Sequence, residues 1–295
     1  MQTPAPPAMH PGRGYALIAL AAILWASLGP AARFALERGV GPVEVSFWRA
    51  LFGGSLFAVH ALATGGGRVA WRDLPALVAF ALIGVTFLFA AYFRTVQLGG
   101  AALASVLLYT APVWVVIASS IALREPITPA KAAALALTLA GVMLVATAGG
   151  TNVRISPAAV GWGLACSFAY AGYYLFGKRY FPRYGVATVF MYAELIGALG
   201  LAFFVDWSAK TTGDWAVFLW LAAVPTYLAY LVYGIGLAHV EAGRAATVAT
   251  LEPVVTALLA YWLWQEALGA RGYLGAALVL AGVLLTTRVR SRANE

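Results

Sequence analysis

Apolar residues run along this chain in long blocks separated by short polar breaks. About twenty apolar residues in a helix cross the hydrocarbon core of a bilayer. That ruler divides the sequence into ten spans, at 14–36, 43–63, 74–96, 100–122, 130–148, 157–177, 187–205, 214–237, 243–264 and 270–287. The breaks carry turn punctuation, such as "RGVGP" (38–42), "TGGG" (64–67), "REPITP" (124–129) and "GGTN" (149–152). No break is long enough to hold a soluble domain. The pattern predicts an all-α polytopic membrane protein. Residues 1–13, rich in proline with a single arginine, form a disordered cytoplasmic tail rather than a cleaved signal peptide, and residues 288–295 a basic one.

The blocks are not independent. Shifted by 141 residues, Tyr92–Leu144 lies on Tyr233–Leu285 without a gap, and 13 of 53 positions are identical. Chance in a chain this rich in Ala and Leu gives roughly five. The matches include Pro112 with Pro253, Glu125 with Glu266, and "AGV" at 140–142 with 281–283. Five spans per half is an odd number, so the second copy enters the bilayer from the opposite side. The sequence therefore predicts two inverted five-helix repeats, 14–148 and 157–287, with substrates bound near the midplane between them.

Composition agrees and narrows the classes. The chain is 62% hydrophobic and 10% charged, against about 45–50% and 25% in soluble domains. The net charge of +8 reflects basic loops, not a nucleic-acid footprint: no basic run interleaves with aromatics. Twelve Lys and Arg residues fall on the side of the N-terminus and six on the other, which predicts both termini in the cytoplasm. The lone cysteine, Cys166, excludes an internal disulfide. No CxxC or histidine cluster suggests a metal, and no cofactor is expected. The expected partners are a bilayer, a small-molecule substrate and protons as a coupling ion; no oligomeric state follows.

At the level of motifs the chain resembles the EamA-type exporters of the drug/metabolite transporter superfamily. The likeness rests on "ILWASLGPAARF" in the first span, the arginine of "SFWRALF" in the second, "AP…REP" and "EP…QEAL" closing spans 4 and 9, and the paired "AGV". It covers nearly the whole chain and is closest to bacterial aromatic amino acid and paraquat exporters. It departs at Trp25-Ala26, where the family has "WG", and at Ala111, where no acid precedes Pro112. The resemblance implies an inner-membrane exporter of small organic molecules with a central cavity walled by spans 1, 3, 4, 6, 8 and 9. It leaves the substrate open across amino acids, drugs and nucleotide sugars.

Several residues carry candidate chemistry, each with a structural alternative. Trp162, Cys166, Tyr170 and Tyr173 or Tyr174 share one face of span 6, with Tyr174 the residue taken for the cavity. Tyr227, Tyr230 and Tyr233 share a face of span 8, and Ser105, Tyr109 and Pro112 a stripe of span 4. With Trp25 and Thr250 these residues either line the cavity or fill the membrane core. An aromatic wall favours flat apolar or cationic substrates.

Arg49, Glu194 and Glu252 place formal charge inside spans. Arg49 and Glu194 lie near enough to span ends to snorkel or to pin a helix. Glu252 sits mid-span, where an unpaired carboxylate is costly; it binds a substrate amine or a proton, or hydrogen-bonds a neighbouring helix. Pro253 and Pro112 are expected to bend spans 9 and 4 as related hinges. Glu125 and Glu266 read as capping groups at span ends. Ala136/Ala140 and Ala277/Ala281, spaced by four, predict close packing of spans 5 and 10. Nucleotide-sugar exchange is the weaker transport reading, because phosphates want more cavity cations. A membrane enzyme is the alternative of another class, but His10, His60 and His239 have no partner in the sequence pattern.

Overall fold

The computed structural model describes residues 10–148, 154–266 and 269–288, and every regular element among them is helical. Ten helical segments follow one another: α1 (Pro11–Leu36), α2 (Pro42–Ala63), α3 (Leu74–Gly99), α4 (Ala101–Ala122), α5 (Pro129–Thr147), α6 (Pro157–Tyr184), α7 (Val186–Ala202), α8 (Thr212–Leu237), α9 (Ala242–Trp264) and α10 (Gly269–Arg288). Among these, eight are long and apolar enough to cross a membrane. The exceptions are α7, apolar but only 17 residues long, and α6, whose tyrosines, glycines and terminal cations lower the hydropathy of its 28 residues.

Residues 1–9 of the expected N-terminal tail, the break at 149–152 and residues 289–295 of the basic tail lie outside the described residues. Residues 11–13 of the expected tail are already helix. The first helix starts at Pro11, where proline loses no needed N–H. Local chemistry sets other starts. The side chains of Thr128 and Ser156 accept the N–H groups of Lys131 and Ala159 ahead of Pro129 and Pro157. Thr211 and Asp214 form a capping box before α8. The sixth helix runs seven residues past its expected end at 177, with Pro182 inside it. Its terminus is tied down there: Asp73 takes Arg183 at 2.5 Å and the Tyr184 hydroxyl.

Five segments are not continuous α-helices, and the irregularities recur at the 141-residue shift. A π-helical stretch occupies Leu82–Phe87 in α3 and Ala222–Leu228 in α8. The fourth helix breaks at Tyr109 (φ −75°, ψ 5°) and the ninth at Thr250 (φ −67°, ψ 0°). Arg124 (φ 56°) and Gln265 (φ 58°), the non-glycine residues with positive φ among those described, are also counterparts. The first helix breaks at Ser27, but the sixth has no corresponding break.

The prolines are therefore not bends within continuous helices. Pro112 and Pro253 lie in the first turn of the half-helices Ala111–Ala122 and Leu251–Trp264, where a missing N–H is harmless. The breaks precede them.

Packing exchanges the two halves. The first helix packs on α8 and α9 as the sixth packs on α3 and α4, while α2 lies along α7 and α5 along α10. In the α5–α10 pair the expected alanine stripes point the wrong way: Ala136, Ala140, Ala277 and Ala281 are exposed. The contact runs through Gly141, Gly275 and Gly282. A Cβ on Gly141 would stand 2.5 Å from the Gly275 carbonyl oxygen. Both stripes have helical spacing, and only the partner helix decides which one faces inward.

Candidate functional site

The breaks and π stretches converge on a cavity of about 250 Å³ near the middle of the bundle. It is walled by α1, α3, α4, α6, α8 and α9, and by α2 through Arg49.

Each irregularity supplies something to this space. At the α1 break the Ala26 carbonyl accepts the Thr256 hydroxyl of α9 at 3.3 Å. In the α3 π stretch, Gly84 offers its carbonyl to the Tyr173 hydroxyl at 2.8 Å. In the α8 π stretch, the Thr226 hydroxyl donates back to Leu221 at 2.8 Å and accepts from Arg49 Nη1 at 3.3 Å. The α9 break puts Glu252 in the first turn of a half-helix, and Tyr109 at the α4 break lines the same cavity.

The walls are aromatic. Tyr173 and Tyr230 stack at 5.7 Å, Trp25 meets Tyr230 edge-on at 5.4 Å, and Tyr170 lies 5.9 Å from Tyr173. Tyr92 closes on Ser105, hydroxyl to hydroxyl, at 3.5 Å. Two lining residues carry formal charge, Arg49 and Glu252, and they form no ion pair with each other.

Of the residues singled out in the sequence, Trp25, Ser105, Tyr109, Tyr170, Tyr230 and Glu252 line the cavity. Four others lie elsewhere. Trp162 is 39% exposed beside Phe87 on the outside of the bundle. Tyr174 is buried behind the wall, between Tyr170 and Tyr233. Tyr227 faces α2, its hydroxyl 2.8 Å from His60 Nδ1. Thr250 is buried at the α9 break, its hydroxyl donating to the Thr247 carbonyl at 2.6 Å.

The two charges expected near span ends are corrected as well. Arg49 is 2% exposed and Glu194 fully buried, so neither snorkels. Glu194 lies outside the cavity lining, and neither carboxylate oxygen has a hydrogen-bond partner.

The sequence pattern missed Tyr92, Phe89 and Thr256, and chose Tyr174 over Tyr173. Neighbours on a helix point about 100° apart, so only the rotation of α6 in the bundle separates those two tyrosines. A usable signal did exist for Tyr92. It opens the internal repeat opposite Tyr233, on the face shared with Leu88.

One end of the bundle is sealed by a polar network. Glu241, between α8 and α9, takes Lys131 and Arg244 at 3.0 Å each, and Arg244 also donates to the Tyr15 hydroxyl at 3.2 Å. Burial alone would raise the Glu241 carboxyl, but the hydrogen bond from Lys131 and the two cations hold it below the usual carboxylate range. Beside it, Glu125 accepts the N–H groups of Ala242 at 2.8 Å and Gly243 at 3.2 Å, capping α9 from the end of α4. At the other end Arg33 and Glu266 pair at 2.8 Å in the open, with side chains 40% and 55% exposed. Among the described residues no group of His, Cys, Asp and Glu is arranged to hold a metal.

Comparison with known proteins matches the chain twice to the EamA-like transporter family, over residues 12–147 and 157–288. An uncharacterized transporter of Archaeoglobus fulgidus is 28% identical over 93% of this chain and 98% of its own length. The uncharacterized inner membrane transporter YicL of Salmonella typhimurium is 27% identical over 95% and 98%. A probable terminal-alkyne amino-acid exporter of Streptantibioticus cattleyicolor is 28% identical over 92% of each. A solved crystal structure shares the fold, with a TM-score of 0.83 and 21% identity over 94% of this chain and 97% of its own.

Proposed function

The chain belongs to the EamA-like transporter family, and from that premise we propose that it exports small organic metabolites by alternating access. It is a multi-pass membrane transporter, not an enzyme. In this reading the ten helices form two inverted repeats in a bacterial inner membrane, with both termini cytoplasmic. Amino acids, including aromatic ones, are the first substrates, and flat cationic drugs the second. Protons taken up at Glu252 couple the transport.

One observation carries the reading: a repeated contact is made at one end of the cavity only. Glu125 caps Ala242 and Gly243 where the polar network seals the bundle. At the 141-residue shift the counterpart contact joins Glu266 to the amides of Ala101 and Ala102. Glu266 instead pairs with Arg33 at the surface. Two equivalent gates in unequal states are what alternating access requires of an inverted repeat. In the opposite state Glu266 caps α4 and Glu125 releases α9.

The substrate class draws on the stacked tyrosines and Trp25, and on the relative named as an amino-acid exporter. Nucleotide-sugar exchange fits less well, since among the described residues Arg49 is the single cation lining the cavity.

Purified protein in liposomes, loaded with unlabelled phenylalanine, should accumulate labelled phenylalanine by counterflow. In a Cys166→Ala background, the pairs Glu125→Cys with Ala242→Cys and Glu266→Cys with Ala101→Cys should crosslink in opposition as substrate gradients are reversed. Absence of movement for aromatic amino acids and aromatic cations alike overturns the export reading. Crosslinking of both pairs in one molecule overturns alternating access.

A further inference from the structure

Arg49 is more than the structure needs for packing. It is 2% exposed in the middle of α2 and lines the cavity. A guanidinium carries five N–H donors in a planar fork. Here Nη1 donates to the Thr226 hydroxyl at 3.3 Å, the group lies 4.6 Å from the Phe89 ring centre, and the Tyr230 hydroxyl stands beside it. Nη2 is buried and has no partner.

No carboxylate is ion-paired with this charge among the described residues. Glu194 is near enough to act on it electrostatically, yet the two form no ion pair within 4.0 Å, and both Glu194 oxygens are themselves unpartnered. Glu252 lines the same cavity but forms no ion pair with Arg49 within 4.0 Å. A structural tether from α2 to α8 uses one long hydrogen bond to a hydroxyl, which a neutral amide would also make. A buried cation with an unmade donor is instead costly until an anion completes it.

We propose that Arg49 is the carboxylate-binding subsite of the cavity, and that the molecules this protein carries are small organic carboxylates. The carboxylate takes the free edge of the guanidinium, and its aromatic or apolar body lies along Tyr173, Tyr230 and Trp25. The proposal rests on the export reading and narrows it. A flat cation without a carboxylate meets like charge at Arg49 and is disfavoured, and an α-amino acid enters acid-first. Glu252 then meets whatever the far end of the substrate carries.

The test is binding to purified protein, read as ligand-induced thermal stabilisation, with phenylalanine, 3-phenylpropionate and phenethylamine as probes. Wild type should be stabilised by both carboxylates and far less by the amine. Arg49→Gln, which keeps a donor for Thr226, should bind both carboxylates about tenfold more weakly or worse, the loss expected for one charge-assisted pair. Arg49→Lys keeps the charge without the fork and should fall between. Should the Gln variant fail to fold, the wild-type comparison of acid with amine and the Lys variant still decide. Equal affinity of wild type for acid and amine, unchanged carboxylate affinity in both variants, or no stabilisation by either carboxylate overturns the subsite. Carboxylate binding that depends on Arg49 with no counterflow in liposomes leaves the subsite and removes the export reading. Counterflow of phenylalanine with no preference for the carboxylate does the reverse.

Discussion

Glu252 reaches the cavity from the first turn of the half-helix that starts at Leu251, and Tyr109 meets it from the corresponding break in α4. The first turn has unpaired N–H groups and the positive end of the helix dipole, which ease a carboxylate in an apolar wall. Its repeat counterpart is Ala111, so the cavity holds this acid from one half only. Glu252→Gln keeps the shape and much of the hydrogen bonding, and it should insert and fold almost normally. If Glu252 carries the coupling proton, flux in that variant should fall or lose its dependence on a pH gradient. Glu252→Leu should also destabilise modestly, by about 0.6–2 kcal/mol. Wild-type flux and wild-type pH response in the Gln variant would remove Glu252 from the mechanism and return it to interhelical bonding.

At the scale of elements, the five irregular helices and the continuous α5–α10 pair do different jobs. The irregular stretches of α1, α3 and α8 hold the cavity-lining side chains Thr256, Tyr173 and Arg49 through the Ala26 carbonyl, the Gly84 carbonyl and the Thr226 hydroxyl. The α4 and α9 breaks place Tyr109 and Glu252 in the lining. The α5–α10 pair is continuous and stands outside that space, held by backbone contact at glycine. A Cβ on Gly275 would stand 2.6 Å from the Gly141 carbonyl oxygen, which no side-chain rearrangement can relieve. Gly275→Val should therefore push the helices apart and destabilise the protein by about 1–3 kcal/mol or more, lowering folded yield and thermal midpoint. Ala281→Val, on the exposed stripe of the same helix, should leave both nearly unchanged. Equal sensitivity at the two sites would mean that the pair is not held at the glycines.

For the whole molecule, the decisive property is the relation between the halves. The contacts exchange under the repeat, α1 on α8 matching α6 on α3, and the positive-φ helix ends match too. Besides the α1 break that α6 lacks, the two ends of the bundle break this symmetry, with a buried network at Glu241 and an exposed pair of Arg33 and Glu266. The excess of Lys and Arg on the side of the termini predicts that both lie in the cytoplasm. A reporter fused after Arg292 should behave as cytoplasmic, and one inserted at Ser156 as external. Matching locations for the two would break the inverted arrangement and, with it, the equivalence of the gates.

Helical spans and their duplication were legible because each rests on a local or periodic property of the chain. Span length follows from apolar runs, and the repeat from identities such as Pro112 with Pro253 and Glu125 with Glu266. Aromatic character of the cavity was legible for the same reason, since Tyr170, Tyr230 and Trp25 carry it whatever their neighbours. Rotation about each helix axis was not. The choice of Tyr173 over Tyr174, of Gly141 over Ala140, and of an inward Arg49 over a snorkelling one depends on which neighbour packs against which face. The capping of α9 by Glu125, 117 residues away in sequence, belongs to the same class. Such contacts join residues remote along the chain, and hydrophobic periodicity is blind to them because every face of a membrane helix is apolar enough to be buried. Only the packed bundle chooses among those faces.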